Sequence, residues 1–472
     1  MLNTGLFLIG KTFSKISKLF NLGSGSTWPG HIALSVNKNF IKDLIKKNKN
    51  LKIILIAGTN GKTTTSKLIR TILEKNGEKV FQNESGANLL NGIASTLLLH
   101  SNRVCMLNYD FAIFEIDENT LSLILKELTP NTIILLDLFR DQLDRYGEVD
   151  TIARKWQEAL SDLVSRHSRE SGNPLPNLIL NADDPQIAYL GLSLSNCHSE
   201  RSEESHLNVS YFGLNDKSLG KSKSEHAADT IYCPNCGSRL DFEIVYFSHI
   251  GIWKCNKCKL ERPKPDLDNF PIYPLPGIYN RYNTLAAVLF AKTNNVNNET
   301  IEQSLKQFAP AFGRQEMLEI DNKKVHLFLS KNPTSFNESL RTILELGGKN
   351  ILFVLNDRIP DGRDVSWIWD TEIEEIEDKA VNIICSGDRA FDMGLRVKYA
   401  LETQSSNVKT QNQNFRPKAD QPLAENLKTI DNLGKAIKSG LNSLKDNEIL
   451  YILPTYSAML EVRKILTGKK IL

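Results

Sequence analysis

The chain has 472 residues, of which 41% are hydrophobic and 24% charged, a composition typical of a soluble globular protein with two or three domains. Its 58 basic and 55 acidic side chains give a net charge of only +3, which excludes a general electrostatic case for nucleic-acid binding. Seven cysteines, four of them in two C-x-x-C pairs, indicate reduced thiols and a metal site rather than a disulfide framework.

The N-terminal segment has apolar residues at 6–9, followed by Lys11, Lys15 and Lys18 on a helical pattern. It is too short to span a membrane, and no convincing signal-cleavage site follows it. A helix packed on the core and a helix touching an anionic membrane surface both fit this pattern. We therefore expect a cytoplasmic protein, with peripheral association at the inner face of the plasma membrane as the open alternative.

The next feature is a short apolar strand followed by a glycine turn and the start of a helix. Gly58 and Gly61 permit the turn, and the residues after Thr63 have helical apolar spacing. This arrangement predicts a phosphate cradle, in which Lys62 reaches the outer phosphates of ATP and the Thr63 hydroxyl holds Mg²⁺. The P-loop pattern is not met in full because Ile56 stands at its first glycine, so an ordinary glycine-rich turn is the alternative.

Acidic residues accumulate at the ends of further strands. With helical segments between them, these strands are predicted at 79–82, 111–117, 132–137 and 178–184. The alternation predicts a parallel sheet, in which ligands bind beyond the carboxyl ends of the strands. A carboxylate such as Glu115 at the end of a buried strand needs a counter-ion, and Mg²⁺ shared with Thr63 would supply one. A solvated acid is the alternative for Glu115.

Polar stretches interrupt this order, and a second α/β unit follows it. The runs at 166–174 and 198–206 are nearly free of apolar residues and are predicted to be surface inserts, and the run at 403–414 is predicted to be a flexible loop. A helix is expected at 278–291 and a hinge near 310–313. The final unit has predicted strands at 325–329, 351–355, 381–385 and 449–453.

Two C-x-x-C pairs, separated by an 18-residue interval, predict a metal site. Four thiolates on two turns form a tetrahedral shell suited to Zn²⁺, and a shell filled by four cysteines leaves no open position for catalysis. We therefore expect a structural zinc ribbon; reduced thiols brought together by chance are the alternative. The interval is not notably basic, which argues against a zinc-ribbon ATPase that binds nucleic acid. The predicted zinc ligands are Cys233, Cys236, Cys255 and Cys258.

Six motifs in order resemble those of the Mur ligase superfamily: GTNGKTTT (58–65), NESGAN (83–88), FEIDE (114–118), FRDQLDRYGE (139–148), NADDP (181–185) and GIYNRYN (277–283). The cysteine ribbon, followed by NDRIPDGRDVSWIWD (356–370), is similar to the MurT family, the ligase subunits of lipid II isoglutaminyl synthase. The resemblance implies an α/β fold with a parallel-sheet ATP-binding domain over 1–311, a zinc ribbon inserted at about 228–265, and a smaller α/β C-terminal domain over 312–472.

The resemblance also implies an activity. It is the ATP-dependent amidation of the D-glutamate α-carboxyl in the lipid II stem peptide to D-isoglutamine, through an acyl phosphate, in peptidoglycan synthesis. Ammonia would come from a glutaminase subunit of the GatD type, which makes the enzyme a heterodimer acting on lipid II at the membrane surface. By motif, ATP would be bound by Gly58, Thr59, Asn60, Gly61, Lys62, Thr63, Thr64, Glu115, Asn280 and Arg314, and Mg²⁺ by Thr63 and Glu115.

In the family, the ligase subunit contributes an aspartate to the catalytic triad of its glutaminase partner. The DGRDxSW motif carries this role over to Asp364. An acid that orients a partner's imidazole fixes its tautomer and stabilises the imidazolium. From the sequence alone, Asp357, Asp361 and Asp370 are rivals, and each of them could instead be a turn-forming aspartate.

Departures from the superfamily pattern bear on the nucleophile. Ser330–Pro333 replaces the Asp/His motif of ligases that add amino acids, which argues against a folylpolyglutamate-type amino-acid ligase and agrees with ammonia. Gln142 stands in place of a metal-binding His, Leu136 precedes Asp137 where a Thr-Asn pair is usual, and Thr455 stands where Asn is expected. A second metal and part of the substrate site therefore stay open.

Overall fold

The computed structural model of the chain describes residues 27–83, 86–141, 148–167, 175–198, 207–222, 225, 228–379, 382–411 and 427–468. The amphipathic stretch expected at 6–18 and most of the inserts expected at 166–174 and 198–206 lie outside these ranges. Within them, no helix is both long and apolar enough to cross a membrane.

The first part of the chain forms a six-stranded sheet in the order β2-β3-β1-β4-β5-β6, and every neighbouring pair is parallel. Its strands are almost wholly buried, as expected for a parallel sheet covered by helices on both faces. The predicted parallel α/β fold is thus confirmed. The strands are β1 Lys52–Ala57, β2 Val80–Gln82, β3 Phe111–Ile116, β4 Thr132–Leu135, β5 Asn177–Asn181 and β6 Val209–Phe212.

Helices cover both faces of this sheet, because successive side chains of a strand point in opposite directions. Ile53 and Leu55 of β1 belong to one apolar core, and Ile54 and Ile56 belong to the other. The helices are α1 Trp28–Val36, α2 Phe40–Lys47, α3 Lys62–Lys75, α4 Leu90–His100, α5 Leu121–Glu127, α6 Val149–His167, α7 Pro185–His198, α8 Ile278–Thr293 and α9 Asn298–Lys306.

The cysteine ribbon is inserted between β6 and α8. Its centre is an antiparallel hairpin of β7 (Asp241–Phe247) and β8 (Ile250–Lys254). The hairpin is attached to the turn after β5: the Trp253 indole N–H donates to the Ala182 carbonyl at 3.1 Å, and the Gly251 N–H donates to the Asp183 carbonyl at 3.0 Å. The ribbon therefore lies at the carboxyl end of the parallel sheet.

The C-terminal part forms a second six-stranded sheet in the order β13-β12-β11-β14-β10-β9, parallel except for the edge pair β9–β10. Its strands are β9 Arg314–Ile320, β10 Lys323–Phe328, β11 Asn350–Val354, β12 Asn382–Ser386, β13 Leu427–Thr429 and β14 Ile449–Pro454. Its helices are α10 Pro333–Glu345, α11 Ala390–Gln411, α12 Leu433–Ser443 and α13 Tyr456–Thr467, with 3₁₀ turns at Ser366–Asp370 and Ile373–Lys379.

Several elements differ from the sequence expectations: the short strands β6 and β13 were not predicted, and two further differences have a clear physical reason. The prediction of a flexible loop at 403–414 is wrong for the part up to Gln411, because α11 continues to that residue. Residues 412–414 lie outside the described ranges. A helix satisfies its backbone hydrogen bonds internally, so a polar composition does not by itself end one. Edge strand β9 was not predicted, because it is only partly buried and its charged residues hide the apolar alternation.

Candidate active site

The turn between β1 and α3 accepts only glycine at two positions. Gly58 has φ +146° and Gly61 has φ +81°, in the left-handed range that favours glycine. A Cβ at Gly58 would lie 2.9 Å from the Leu136 Cβ, and one at Gly61 would lie 2.1 Å from the Asn283 Oδ1. The turn is therefore packed closely against its neighbours, which leaves the first backbone N–H groups of α3 facing the carboxyl edge of the sheet.

A hydroxyl and a carboxylate meet at the start of α3. The Thr63 hydroxyl donates to the Glu115 Oε2 at 2.8 Å, and the Ser66 hydroxyl donates to its Oε1 at 2.8 Å. Glu115 is buried at the end of β3, so the sheet fixes its position. One oxygen atom of each of Thr63 and Glu115 is thus within reach of a single cation, and such hard oxygen ligands fit Mg²⁺.

The Lys62 ammonium lies inside the same turn. It donates to the carbonyls of Gly58 and Thr59, the latter at 3.3 Å, and forms an ion pair with Glu118 at 3.3 Å. Burial opposes the charge of Glu118, but Lys62 and Lys331 lower the pKa of this carboxyl. Lys62 therefore has a fixed, anionic neighbour from which an approaching phosphate would draw it.

Asp137 lies at the floor of the cradle, just beyond β4. Its Oδ1 accepts a hydrogen bond from the Asn60 N–H at 2.8 Å. Burial, opposed by the Asn60 hydrogen bond and assisted by nearby Asp184, raises the pKa of Asp137 to about 7. This carboxyl is therefore only partly ionised near neutral pH, which limits the negative charge where phosphates would bind.

The cradle opens into a cavity of about 340 Å³ between the two α/β units. Arg314 enters from β9, and among the described residues its guanidinium has no hydrogen-bond partner. Burial lowers the pKa of Arg314, an effect opposed by Glu115.

Asn280 enters the cavity from α8 and donates to the Pro276 carbonyl at 2.7 Å. The cavity brings together most residues of the expected ATP site: Thr59, Asn60, Gly61, Lys62, Thr63, Thr64, Glu115, Asn280 and Arg314. Gly58 does not line the cavity, but its carbonyl accepts a hydrogen bond from the Lys62 ammonium.

The C-terminal unit supplies one cation that the sequence analysis did not single out. Lys331 lines the cavity and forms an ion pair with Asp141 of the first unit. Burial opposes the charge, but Asp141 and Glu118 raise the pKa of Lys331. The Asn332 amide donates to the Asn60 Oδ1 at 3.2 Å. The signal for it in the sequence is a lysine placed directly before an Asn-Pro helix start, in the segment that replaces the Asp/His motif.

The four ribbon cysteines form one cluster. Their sulfur atoms all lie within 4.8 Å of one another, with contacts of 3.6 Å (Cys233–Cys258) and 3.5 Å (Cys236–Cys255). A Zn–S distance of about 2.3 Å requires tetrahedral sulfur atoms about 3.8 Å apart, so the set fits Zn²⁺. A hydrogen bond from the Ser238 backbone N–H lowers the pKa of Cys236 to about 6, which favours the thiolate that binds metal.

Three of the four aspartates of the 357–370 segment are engaged inside the protein. Asp357 forms an ion pair with an arginine at 2.8 Å, and Asp370 forms one at 3.5 Å. Asp361 is buried and accepts a hydrogen bond from the Ser457 N–H at 2.7 Å. The three carboxylates that compete with Asp364 for the proposed role therefore already have partners within this chain.

Asp364 is the exposed member of this group and does not line the cavity. Its Oδ1 accepts the Ser366 N–H at 2.8 Å, and this backbone hydrogen bond lowers the pKa of Asp364. The carboxylate is therefore ionised and held in place at the surface.

The other departures from the superfamily pattern fall partly within the described residues. The Thr455 hydroxyl accepts the Asn356 N–H at 3.1 Å, so this side chain ties β14 to the end of β11. Leu136 packs against Gly58. Gln142 lies outside the described ranges.

Comparisons with known proteins agree with this architecture. The family model of the Mur ligase middle domain matches residues 56–291, and that of the MurT ligase C-terminal domain matches residues 329–459. The interval between the two matches, 292–328, contains α9, β9 and β10, so the chain passes from the first sheet to the second within it.

Two relatives share the name lipid II isoglutaminyl synthase (glutamine-hydrolyzing) subunit MurT. The chain is 31% identical to that of Staphylococcus aureus strain COL over 394 residues, which cover 80% of this chain and 83% of the relative. It is 30% identical to that of Streptococcus pneumoniae strain R6 over 473 residues, which cover 96% and 95%.

A solved pseudomurein peptide ligase type C from Methanothermus fervidus is similar in fold, with a TM-score of 0.59 and 20% identity, covering 91% of this chain and 81% of the other. A MurF crystal structure from Acinetobacter baumannii has a TM-score of 0.56 and 16% identity, covering 91% and 78%. At these identities the likeness shows the fold alone. The relatives and the two family models together show that the chain belongs to the MurT family of Mur ligases, which are ATP-dependent ligases.

Proposed function

We propose that this chain is the ligase subunit of a lipid II isoglutaminyl synthase, which uses ATP and ammonia to convert the D-glutamate α-carboxyl of the lipid II stem peptide into an amide. The observation that carries the proposal is the convergence of three cationic side chains, Lys62, Arg314 and Lys331, on one cavity beside the Thr63–Glu115 pair. That arrangement suits phosphoryl transfer, which depends on positioning and on neutralising charge.

In the first step, an oxygen of the substrate carboxylate attacks the terminal phosphorus of ATP. The bond from that phosphorus to the bridging oxygen breaks, so ADP leaves and an acyl phosphate forms. Lys62 and Arg314 neutralise charge on the phosphoryl group as it moves. When bound by Thr63 and Glu115, Mg²⁺ supplies further charge neutralisation.

In the second step, the ammonia nitrogen attacks the acyl carbon, the carbon–oxygen bond to phosphate breaks, and a proton passes from the nitrogen to the departing phosphate as the amide forms. Lys331 lies where it can stabilise the departing phosphate. Because Ser330–Pro333 replaces the Asp/His motif, the site lacks the groups that ligases adding amino acids carry there, and this supports ammonia as the nucleophile.

The glutaminase partner is proposed to be of the GatD type and to take Asp364 into its catalytic triad. Exposed apolar side chains on the 3₁₀ turn that follows Asp364, and on α11, which contacts that turn, support a docking surface: Phe391 is 68% exposed, and Trp369 and Tyr399 are 51% and 52% exposed with ring centroids 5.9 Å apart. Apolar groups of this size on a surface are typical of a protein interface. The relatives are themselves named as subunits.

The remaining parts of the proposal concern organisation. We propose domain limits of 1–311 and 312–472, because the second sheet begins at Arg314. The inserted ribbon, at about 228–265, would hold one structural Zn²⁺ on its four cysteines. The protein would act from the cytoplasm at the inner face of the plasma membrane, where its substrate carries the stem peptide.

The test mixes the purified chain with lipid II, Mg²⁺–ATP and ammonium, and measures ADP and amidated lipid II. We expect amidation with ammonium for this chain alone, and with glutamine only when the partner is added. Lipid II that already carries D-isoglutamine is the matched control and should give no ADP. Absence of ADP formation from unmodified lipid II under both conditions would overturn the proposed function.

A further inference from the structure

The tip of the ribbon hairpin lies on the nucleotide cavity. Phe247, the last residue of β7, lines the cavity and is only 4% exposed. His249, two residues further along the turn, is completely enclosed and contacts the Phe139 ring at a centroid distance of 4.8 Å. The end of the hairpin remote from the four cysteines is therefore part of the first domain's active-site wall.

Hydrogen bonds hold the hairpin in this position. Besides the bonds from Gly251 and Trp253 to the turn after β5, the Tyr246 hydroxyl donates to the Leu214 carbonyl at 2.8 Å. These bonds come from three successive parts of the hairpin, so its tip is fixed relative to the sheet. A wall fixed in this way loses little conformational freedom when a ligand binds.

Phe247 belongs to a small aromatic cluster. Its ring centroid lies 6.0 Å from that of Phe139 and 5.6 Å from that of Tyr282. The Tyr282 hydroxyl donates to Asp183 Oδ2 at 2.6 Å, which fixes the orientation of its ring. All three aromatic residues line the cavity.

The cluster borders the phosphate cradle directly. The Phe139 N–H donates to the Thr59 hydroxyl at 3.0 Å, and Tyr282 is followed by Asn283, which packs against Gly61. A nucleotide whose phosphates lie on the cradle would therefore extend its base toward this cluster. Asn280, on the same helix as Tyr282, also lines this cavity.

We propose that Phe247, together with Phe139 and Tyr282, forms the surface on which the base of the bound nucleotide rests, so that the zinc ribbon supplies part of the nucleotide site. Aromatic rings stack on any base, and each stacked base adds to the binding affinity enough to be measured when the ring is removed. The inference rests on the proposed use of ATP and adds a function to the ribbon, whose four thiolates hold the other end of the hairpin.

The test separates the base from the phosphates. Binding of a non-hydrolysable ATP analogue and of inorganic triphosphate, both with Mg²⁺, is measured by calorimetry for the zinc-loaded chain and for Phe247→Ala. We expect the analogue to bind about tenfold more weakly to the variant, and triphosphate to bind within about twofold of wild type. Phe242→Ala is the matched control: it removes a phenyl ring from the same strand, but this ring does not line the cavity.

The outcomes are distinct. An equal weakening of both ligands by Phe247→Ala, or no weakening of the analogue, overturns the proposal. If this variant is not recovered folded, Phe247→Leu keeps an apolar side chain, and the same selective loss is expected. A wild-type chain that binds neither ligand would instead overturn the proposed use of ATP, and the inference with it.

Discussion

The ammonium of Lys331 and the carboxylate of Asp141 form an ion pair that joins the two α/β units at the cavity. Their side chains are 27% and 3% exposed. The adjacent Asn332 contacts Asn60 of the phosphate turn, so the C-terminal unit reaches the cradle at two neighbouring residues. The positive charge around the cavity is therefore complete only when both units are in contact.

Lys331→Gln is expected to lower kcat of ammonia-dependent amidation by roughly 10²-fold, because a charge aimed at the transferred phosphate is lost. Steady-state ADP formation at saturating ATP measures this. The double variant Lys331→Gln/Asp141→Asn removes the uncompensated carboxylate and should remain as slow. Lys324→Gln, an exposed lysine on β10, is the control. Recovery of wild-type kcat in the double variant would show that Lys331 only neutralises Asp141.

Asp364→Asn is expected to reduce glutamine-dependent amidation by at least about 10²-fold, since an amide cannot stabilise the partner's imidazolium. Activity with ammonium should stay within about twofold of wild type, because Asp364 is outside the cavity. Asp357→Asn, in the same segment but paired with Arg389, should affect neither rate to this extent. Equal losses with both nitrogen sources would refute the assignment of Asp364 to the partner's triad.

Asp137→Asn is expected to change how stability depends on pH. Burial raises the pKa of Asp137 to about 7, so the folded chain binds this proton more tightly than the unfolded chain. Its stabilising effect is present below the unfolded pKa of about 4 and is lost as pH rises through about 7. The free energy of unfolding of the variant minus that of wild type should therefore increase from pH 5 to pH 8, by at most about 1.4 kcal/mol per pH unit. Urea unfolding of the nucleotide-free protein measures it; a constant difference would contradict the raised pKa.

Cys258→Ser is expected to lower the bound zinc below one ion per chain and to lower the unfolding temperature, because metal binding contributes to the folding free energy of a small ribbon. Elemental analysis and thermal unfolding provide the two measurements. Cys385→Ser, which removes a buried thiol outside the cluster, should leave the zinc content unchanged. Unchanged zinc in Cys258→Ser would exclude this cysteine as a ligand.

The parallel sheet and the cysteine cluster could be predicted because their signals are local. Gly58 and Gly61 directly follow the apolar run of β1, and Cys233 and Cys236 form one C-x-x-C pair. In each case, period and turn chemistry within a few residues determine what the segment forms. The proximity of Thr63 and Glu115 was also expected, because carboxyl ends of parallel strands share one edge of the sheet.

Other features required the three-dimensional arrangement. Lys331 and Asp141 are 190 positions apart, and nothing in either segment indicates the partner. The contact of Phe247 with the cavity depends on how an inserted hairpin lies on the sheet, which no periodicity reports. Four aspartates within one short segment look alike in the sequence, and only their contacts separate Asp364 from Asp357, Asp361 and Asp370.

The close approach of Asn283 to Gly61 bears on how sequences of relatives should be compared. A Cβ at Gly61 would lie 2.1 Å from the Asn283 Oδ1 even without a nucleotide, and the φ of +81° is a second, independent obstacle to other residues. A relative that has lost catalysis would therefore still retain this glycine as long as it folds. An intact Gly61 reports a folded turn, whereas only its neighbour Lys62 is informative about whether that turn still performs chemistry.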